Sequence, residues 1–293
     1  MRSILLLIFV CLSTASFAQN DLSVKVEKDS TKQIEYVTRA FKSSRVINGH
    51  SIEFIGKGIL DVRILHRFGT VNNGIKDLFG FDQANMRFGF DYGLGKNLTI
   101  GIGRSNVGKE LDGFVKYRLK QQSIGGKNSW PVSVVWVSGM TASTAPFADN
   151  KRKNYTSSQL AYYHEIIIGR KFNKNFSMQL SPTLVHRNLV PLNTDKNDIL
   201  ALGLGARMKL TRRTAFVADY HIVFGGLNKN IYKNPLSLGF DIETGGHVFQ
   251  LHFSNATGMN EKAFITNTTN DWGKAEIRFG FNLSRVFSVS KKK

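Results

Sequence analysis

The chain has 293 residues, and its 22 Phe, 8 Tyr and 27 Gly beside only 5 Pro are typical of strands joined by tight turns. Its mean hydropathy of -0.18, with no apolar run of about 20 residues, excludes a helical membrane protein. The net charge of +19 predicts an anionic partner or an anionic surface.

Residues 1–18 have the order of a secretory signal peptide. Arg2 precedes the apolar run from Ile4 to Leu12, and small residues lead to Ala18. We therefore expect the mature chain to begin at Gln19 and to be exported to the cell outer membrane. An exported chain seldom meets nucleic acid, so we expect no nucleic-acid partner. Outer-membrane lipids, including anionic lipopolysaccharide, are the predicted counterpart of the positive charge.

Residues 19–57 are charged and show no sustained alternation of apolar and polar side chains. We interpret them as a periplasmic N-terminal extension without an assigned role. Residues 58–293 differ, because apolar and polar residues alternate there over segments of ten or more. Leu200 to Leu210 is the clearest case, with an unbroken apolar face opposite Gly203, Arg207 and Lys209.

Twelve such segments follow one another along the chain. Strands of soluble proteins average about five or six residues, whereas membrane strands need about 9–11. The pattern predicts an all-β fold, a closed antiparallel transmembrane β-barrel of about 12 strands. The predicted strands are Leu60–Val71, Ala84–Gly95, Leu98–Val107, Leu111–Gln121, Pro131–Thr141, Ser158–Phe172, Asn175–Leu189, Ile199–Leu210, Thr214–Gly225, Pro235–Thr244, His247–Asn255 and Lys274–Phe287.

The connections between these strands alternate in length. Short periplasmic turns and longer outer loops are typical of outer-membrane barrels. The short ones are Lys96-Asn97, Asn173-Lys174, Thr211–Arg213 and Gly245-Gly246. The longer ones are Asn72–Gln83, Thr144–Ser157, Val190–Asp198, Gly226–Asn234 and Ala256–Gly273.

Three stretches carry a resemblance to a known family. They are His66-Arg67-Phe68-Gly69, Leu78-Phe79-Gly80-Phe81-Asp82 and Arg87-Phe88-Gly89-Phe90-Asp91-Tyr92-Gly93. This part of the chain resembles an uncharacterised family of bacterial outer-membrane β-barrel proteins, a domain of unknown function. The resemblance implies a barrel and brings no catalytic or binding residues with it.

The face of the strands opposite the apolar one carries charges of both signs, which are costly towards lipid and belong inside. The candidate lumen-lining residues are Arg63, Arg87, Asp91, Lys116, Arg118, Arg207, Lys209, Asp219, His221, Asp241, Glu243, His252, Glu276 and Arg278. An excess of basic residues favours a channel for small polar or anionic solutes. The alternative is a non-conducting scaffold or attachment barrel in which paired charges fill the lumen and the long outer loops bind partners.

No constellation predicts chemistry. Gly103 to Lys109 has the glycine and lysine spacing of a phosphate loop, but Glu110 replaces the required Ser or Thr. His221 and His252 lack the spacing of paired metal ligands. We expect no enzyme, no catalytic or metal-binding residues and no cofactor; an outer-membrane hydrolase is a less favoured alternative than the scaffold. The expected partners besides lipid are the barrel-assembly machinery, with the protein itself a monomer.

Overall fold

A computed structural model describes residues 33–147, 151, 153–191, 193–244 and 247–289. The predicted signal peptide, the first part of the predicted extension and the predicted turn Gly245-Gly246 lie outside these ranges. Within them, no helix is both long enough and apolar enough to cross a membrane.

Twelve antiparallel strands form a closed barrel, as the alternation predicted. The strands are β1 Ile59–Thr70, β2 Ala84–Gly93, β3 Leu98–Ser105, β4 Glu110–Lys120, β5 Ser133–Ser143, β6 Leu160–Lys171, β7 Phe176–Arg187, β8 Asp198–Lys209, β9 Thr214–Val223, β10 Leu236–Thr244, β11 His247–Ser254 and β12 Arg278–Ser288. Each strand pairs with its sequence neighbours, and β12 closes the ring on β1 with Leu283 opposite Ile64. Closure leaves no strand edge with unpaired backbone groups, which hydrocarbon would penalise by several kcal/mol each.

The wall alternates between an apolar outer face and a polar inner face. Leu200 on the outside is 59% exposed and Ile102 is 64% exposed, whereas Gly203 and Arg207 on the inner face of β8 are buried. The outward rows are apolar and aromatic because they meet lipid tails, and strand side chains alternate with period two. The inner residues are buried because the lumen is occupied.

The barrel has two different ends. At the end that we call the turn end, strands are joined by residues 94–97, 121–132, 172–175 and 210–213. At the opposite end, which we call the loop end, strands are joined by residues 71–83, 106–109, 144–159, 188–197, 224–235 and 255–277. The longest turn-end connection forms a small ribbon, since Ser123–Ile124 pairs with Glu35–Tyr36. Alternating connection lengths were predicted, and the one long connection on the short side is explained by this extra pairing.

The last part of the predicted N-terminal extension 19–57, residues 39–56, lies inside the barrel. Ala40, Val46, Ile47 and Ile52 are all buried there. The sequence showed no period in this segment because its neighbours lie on many different strands. The last strand also begins at Arg278 instead of Lys274, since Ala275 has a left-handed backbone with φ 54° that interrupts the strand.

Candidate functional site: the filled lumen

Residues 39–56 form a hairpin within the barrel, which we call the inserted hairpin. Its arms pair at Arg45 and His50, with the Val46 N–H donating to the Gly49 carbonyl at 2.9 Å. Asn48-Gly49 is a dipeptide that favours tight turns. Gly49 also sits close to the wall, because a Cβ there would be 3.2 Å from the His221 ring. A side chain at position 49 would therefore require the His221 ring to move slightly.

The tip of the inserted hairpin is bound by a single carboxylate. Oδ2 of Asp219, on β9, accepts the backbone N–H groups of Ile47 at 3.3 Å, Asn48 at 2.7 Å and Gly49 at 3.0 Å. The other oxygen, Oδ1, lies 2.9 Å from Nε2 of His221. Successive N–H groups converging on an anion make a strong binding site. Asp219 thus fixes the tip against the barrel wall.

Long polar side chains of the wall bind the backbone of the hairpin arms. Gln179 on β7 accepts the Ile52 N–H at 3.1 Å and donates to the His50 carbonyl at 2.6 Å. Gln250 on β11 donates to the Val46 carbonyl at 2.6 Å. Buried backbone groups need such partners, since an unpaired one is costly. The wall supplies them from two strands that are not neighbours, β7 and β11.

A second segment enters from the loop end. Residues 255–270, which we call the inserted loop, carry the short helix α1, Glu261–Thr266. Asn260 caps this helix by accepting the Ala263 N–H at 2.8 Å, and Phe264 is fully buried. Lys262 pairs with Glu110 on the wall at 2.5 Å. The loop predicted to act outside thus closes the barrel from within.

The two inserted segments meet at a buried ion pair. Nη1 of Arg45, from the hairpin, lies 2.5 Å from Oε1 of Glu261, from α1, and these side chains are 0% and 3% exposed. Nε2 of His50 lies 3.3 Å from the same oxygen. Burial, followed by Arg45 and Lys116, lowers the pKa of His50 well below 6.5. His50 is therefore neutral at pH 7, and its Nε2 is hydrogen-bonded to the Tyr163 hydroxyl group at 3.3 Å.

A family of membrane-bound β-barrel domains, DUF5777, has a model that matches residues 41–287. The chain belongs to this family. The match confirms the resemblance to an uncharacterised barrel family, and it includes nearly all of the inserted hairpin. A search of the curated proteins finds no match.

Among solved structures, this DUF5777 barrel is similar to the NanC porin, with TM-score 0.48, 9% identity and coverage of 78% of this chain and 98% of that one. The KdgM porin gives TM-score 0.47, 7% identity and coverage of 78% and 98%. LpxR from Salmonella typhimurium gives TM-score 0.34, 10% identity and coverage of 78% and 100%. Similarities at this level carry no argument about transport or catalysis.

The structure places the fourteen candidate lumen-lining residues in two groups. Nine are buried: Arg63, Arg87, Asp91, Lys116, Arg207, Asp219, His221, Asp241 and His252. Five are only partly buried: Arg118 and Lys209 towards the turn end, Glu243 at the same end, and Glu276 and Arg278 at the loop end. The inner wall therefore carries its charges where the inserted segments can reach them.

Several buried charges pair along the wall. Nε of Arg87 donates to Asp112 at 2.8 Å, Arg63 lies 3.2 Å from Asp61, and Nε of Arg207 lies 3.6 Å from Oδ2 of Asp241. Glu276 does not take part in this pairing along the wall, because it accepts the Asp271 N–H at 2.8 Å within its own loop.

Sequence reasoning missed the partners that come from the inserted segments. Arg45, Asn48 and Glu261 are among the most buried polar residues, yet none lies on a predicted strand. Asn48-Gly49, which follows Val46 and Ile47, is the one local signal that could have revealed the hairpin. The ion pair itself leaves no local signal, because its members are 216 residues apart.

Two observations on the described residues concern the chemical alternatives. No group of three or more His, Cys, Asp or Glu among them could hold a metal ion. Oγ of Ser138 lies 3.0 Å from Nδ1 of His164, but this pair faces outward from the middle of β5 and β6. Hydrolysis needs water, which is scarce against lipid tails.

Proposed function

We propose that this protein is an outer-membrane β-barrel whose lumen is closed to solutes and which acts through binding at its two ends. The observation that carries the proposal is the contact between Arg45 of the inserted hairpin and Glu261 of the inserted loop, which join inside the barrel. A barrel of twelve strands is wider than the barrels of about eight strands that wall side chains alone fill, so the inserted segments occupy the remaining space. An attachment or scaffold role fits such an interior better than passive flow.

The asymmetry of the two ends supports an orientation. Short connections face the periplasm and long ones face outward in outer-membrane barrels. The first strand, β1, begins at the turn end, and the last strand, β12, finishes there. The Val289 N–H donates to the Gly58 carbonyl at 2.9 Å beside these two strand ends. In the proposed orientation the turn end is periplasmic and the inserted hairpin enters from the periplasm.

A channel for small polar or anionic solutes is the second candidate, and the cations of the wall favour it. Lys116 donates to the carbonyls of Ser44 at 3.1 Å and Glu53 at 2.6 Å, and Arg67 donates to the Asn48 side-chain oxygen at 2.8 Å. These partners are neutral groups of the hairpin. If the hairpin left, these two cations would lose their neutral partners and face the lumen, and positive linings attract anions.

Single-channel recording in planar bilayers tests the closed lumen. We expect the purified protein to show no conductance, whereas a variant with residues 39–56 replaced by a short Gly-Ser linker conducts with a preference for anions. Steady open currents from the unaltered protein would contradict the proposal. Currents that appear only at high voltage, again with anion preference, would favour the second candidate.

Because the deletion can prevent folding, a milder variant is needed beside it. Asp219→Ala removes the carboxylate that binds the hairpin tip but leaves every strand intact. We expect brief openings from it. Asp198→Ala is the matched control, since this exposed carboxylate on β8 binds only the outward-facing His186 in the polar contacts seen at that site. The control is expected to show no channel openings, like the unaltered protein.

A further inference from the structure

A cavity of about 870 Å³ opens at the turn end, which we call the turn-end cavity. It lies between the stem of the inserted hairpin and the connections of β2 to β5. Five cationic side chains line it: Arg39, Lys57, Lys96, Arg118 and Lys120. Glu53 is the only carboxylate among the lining residues. The cavity therefore carries a strong positive field into a concave space, where a field is focused.

The single carboxylate does little to cancel this charge. Oε1 of Glu53 is engaged by the hairpin itself, accepting the N–H groups of Ala40 at 2.5 Å and Phe41 at 3.4 Å. Burial raises the pKa of Glu53, which disfavours its ionised form. The remaining groups that face the cavity are cations, neutral polar side chains, rings and a few aliphatic side chains.

At least one of the cations is held in a fixed position. Nη1 of Arg118 donates to the Lys96 carbonyl at 3.3 Å and to Gln121 at 3.1 Å, while its guanidinium lies 4.3 Å from the centre of the Phe54 ring. A guanidinium that is held in position at the wall of a cavity is suited to binding a carboxylate.

Aromatic rings share the cavity with the cations. Tyr36 and Trp130 are 61% and 42% exposed, although rings of this size are usually covered. Nζ of Lys120 lies 5.1 Å from the centre of the Trp130 ring. A small inorganic anion would use the charges and leave the rings unused. A ligand that uses both has flat apolar faces together with negative groups, as a saccharide with attached carboxylate groups does.

We infer that the turn-end cavity binds a carboxylate-bearing saccharide. The inference rests on the proposed orientation only for the source of the ligand, which at a periplasmic mouth would be the glycan of the cell wall. It does not depend on whether the lumen conducts. Binding would tie the barrel to that layer, which is an attachment role. The sugar faces contact the rings, and the carboxylates pair with the cations.

Isothermal titration of the full-length protein in detergent at low ionic strength tests this inference. The probe is a soluble muropeptide, a disaccharide carrying a short peptide with free carboxylates. The same molecule with amidated carboxylates, and the free peptide without sugar, are the ligand controls. We expect binding of the muropeptide alone, weakened by salt because exposed charges are screened.

Two charge-matched variants locate the site. The turn-end triple is Lys57→Gln, Lys96→Gln and Lys120→Gln; the loop-end triple is Lys76→Gln, Lys229→Gln and Lys274→Gln. All six lysines are exposed, and each triple lowers the formal charge of +19 by three. We expect the turn-end triple to raise the dissociation constant about tenfold or more, and the loop-end triple to leave it within about twofold.

A third variant tests the rings. Trp130→Ala is expected to weaken muropeptide binding while leaving the fold intact, because Trp130 lies in an exposed turn-end connection. The inference is overturned if the muropeptide does not bind, if both triples weaken it equally, or if the free peptide binds as tightly as the muropeptide. None of these results would alter the conductance test, so the two proposals fail separately.

Discussion

Arg45 and Glu261 are 216 positions apart in the chain, and their side chains form an ion pair in the middle of the barrel at 2.5 Å. One arrives from the turn end on the inserted hairpin and the other from the loop end on α1. The pair makes the stability of each inserted segment depend on the other, because withdrawal of either segment would leave a charged side chain of the other without its partner.

The first prediction concerns this pair. Glu261→Gln leaves the Arg45 guanidinium buried without its nearest carboxylate, and removing one member of a buried pair costs about 3–5 kcal/mol. We expect a loss of this size in the free energy of unfolding, measured by urea titration of the refolded protein. Asp198→Asn, which breaks the exposed pair with His186, is expected to cost about 1 kcal/mol or less. Equal costs for both variants would show that the central pair is not buried in this way.

The hairpin tip provides the second prediction. Cys11 is the only cysteine and lies in the predicted leader, so Ile47→Cys introduces a single reporter at a fully buried position. We expect this thiol to react slowly with a polar maleimide. Adding Asp219→Ala is expected to speed the reaction about tenfold or more, because the tip loses three charge-assisted hydrogen bonds of about 1.5–3 kcal/mol each. A cysteine at the exposed Ile124 is the control and should react alike in both backgrounds. Fast labelling at position 47 without the second substitution would argue against an inserted tip.

Strand positions could be predicted from sequence because they depend on a local property. Successive side chains of a strand point to opposite faces, so the alternation depends only on the position of each residue in its own strand. Lipid selects apolar residues on the outer face, which makes the alternation easy to detect. Leu200 to Leu210 shows this most clearly. The exception, the start of β12, arose because Ala275 and Ile277 continue the apolar pattern across a turn that Ala275 itself makes with φ 54°.

The filling of the lumen could not be predicted in the same way. Residues 39–56 contact the wall through single side chains on β4, β7, β9, β11 and β12, which do not impose any period on the hairpin. The partner of Arg45 lies in a connection that sequence alone indicates only as a long polar loop. Which inward charges pair with each other and which bind the hairpin is decided by barrel closure, a property of the whole chain.

The outer face gives a third prediction. Ile102 is on the lipid side of β3, so Ile102→Lys places a charge against hydrocarbon and is expected to lower the free energy of unfolding from lipid vesicles by about 2–4 kcal/mol. Ile75→Lys adds the same charge to an exposed loop-end residue and should cost about 1 kcal/mol or less. If the two substitutions were equally tolerated, position 102 would not face the bilayer.

Glu53 gives a prediction for pH. Burial raises its pKa, so the folded protein holds this proton more tightly than the unfolded chain, whose pKa is near 4.5. The stability that the proton contributes is complete below pH 4.5 and is lost as the pH rises through the folded-state pKa. Glu53→Gln cannot titrate, yet its side-chain oxygen can still accept the Ala40 N–H. We expect the unaltered protein to lose stability relative to Glu53→Gln as the pH rises from 4 to 7, so the free energy of unfolding of the variant minus that of the unaltered protein increases. A difference that is constant with pH would mean that this pKa is not raised.

The most direct test of the filled lumen is a cross-link between the hairpin and the wall. Nδ2 of Asn48 donates to Oγ of Ser237, on β10, at 2.9 Å. In a variant with Asn48→Cys and Ser237→Cys, we expect oxidation or a short bifunctional thiol reagent to join the two residues within one chain, as peptide mass analysis would show. Two free thiols that both react rapidly with a polar reagent, and no internal cross-link, would contradict the account.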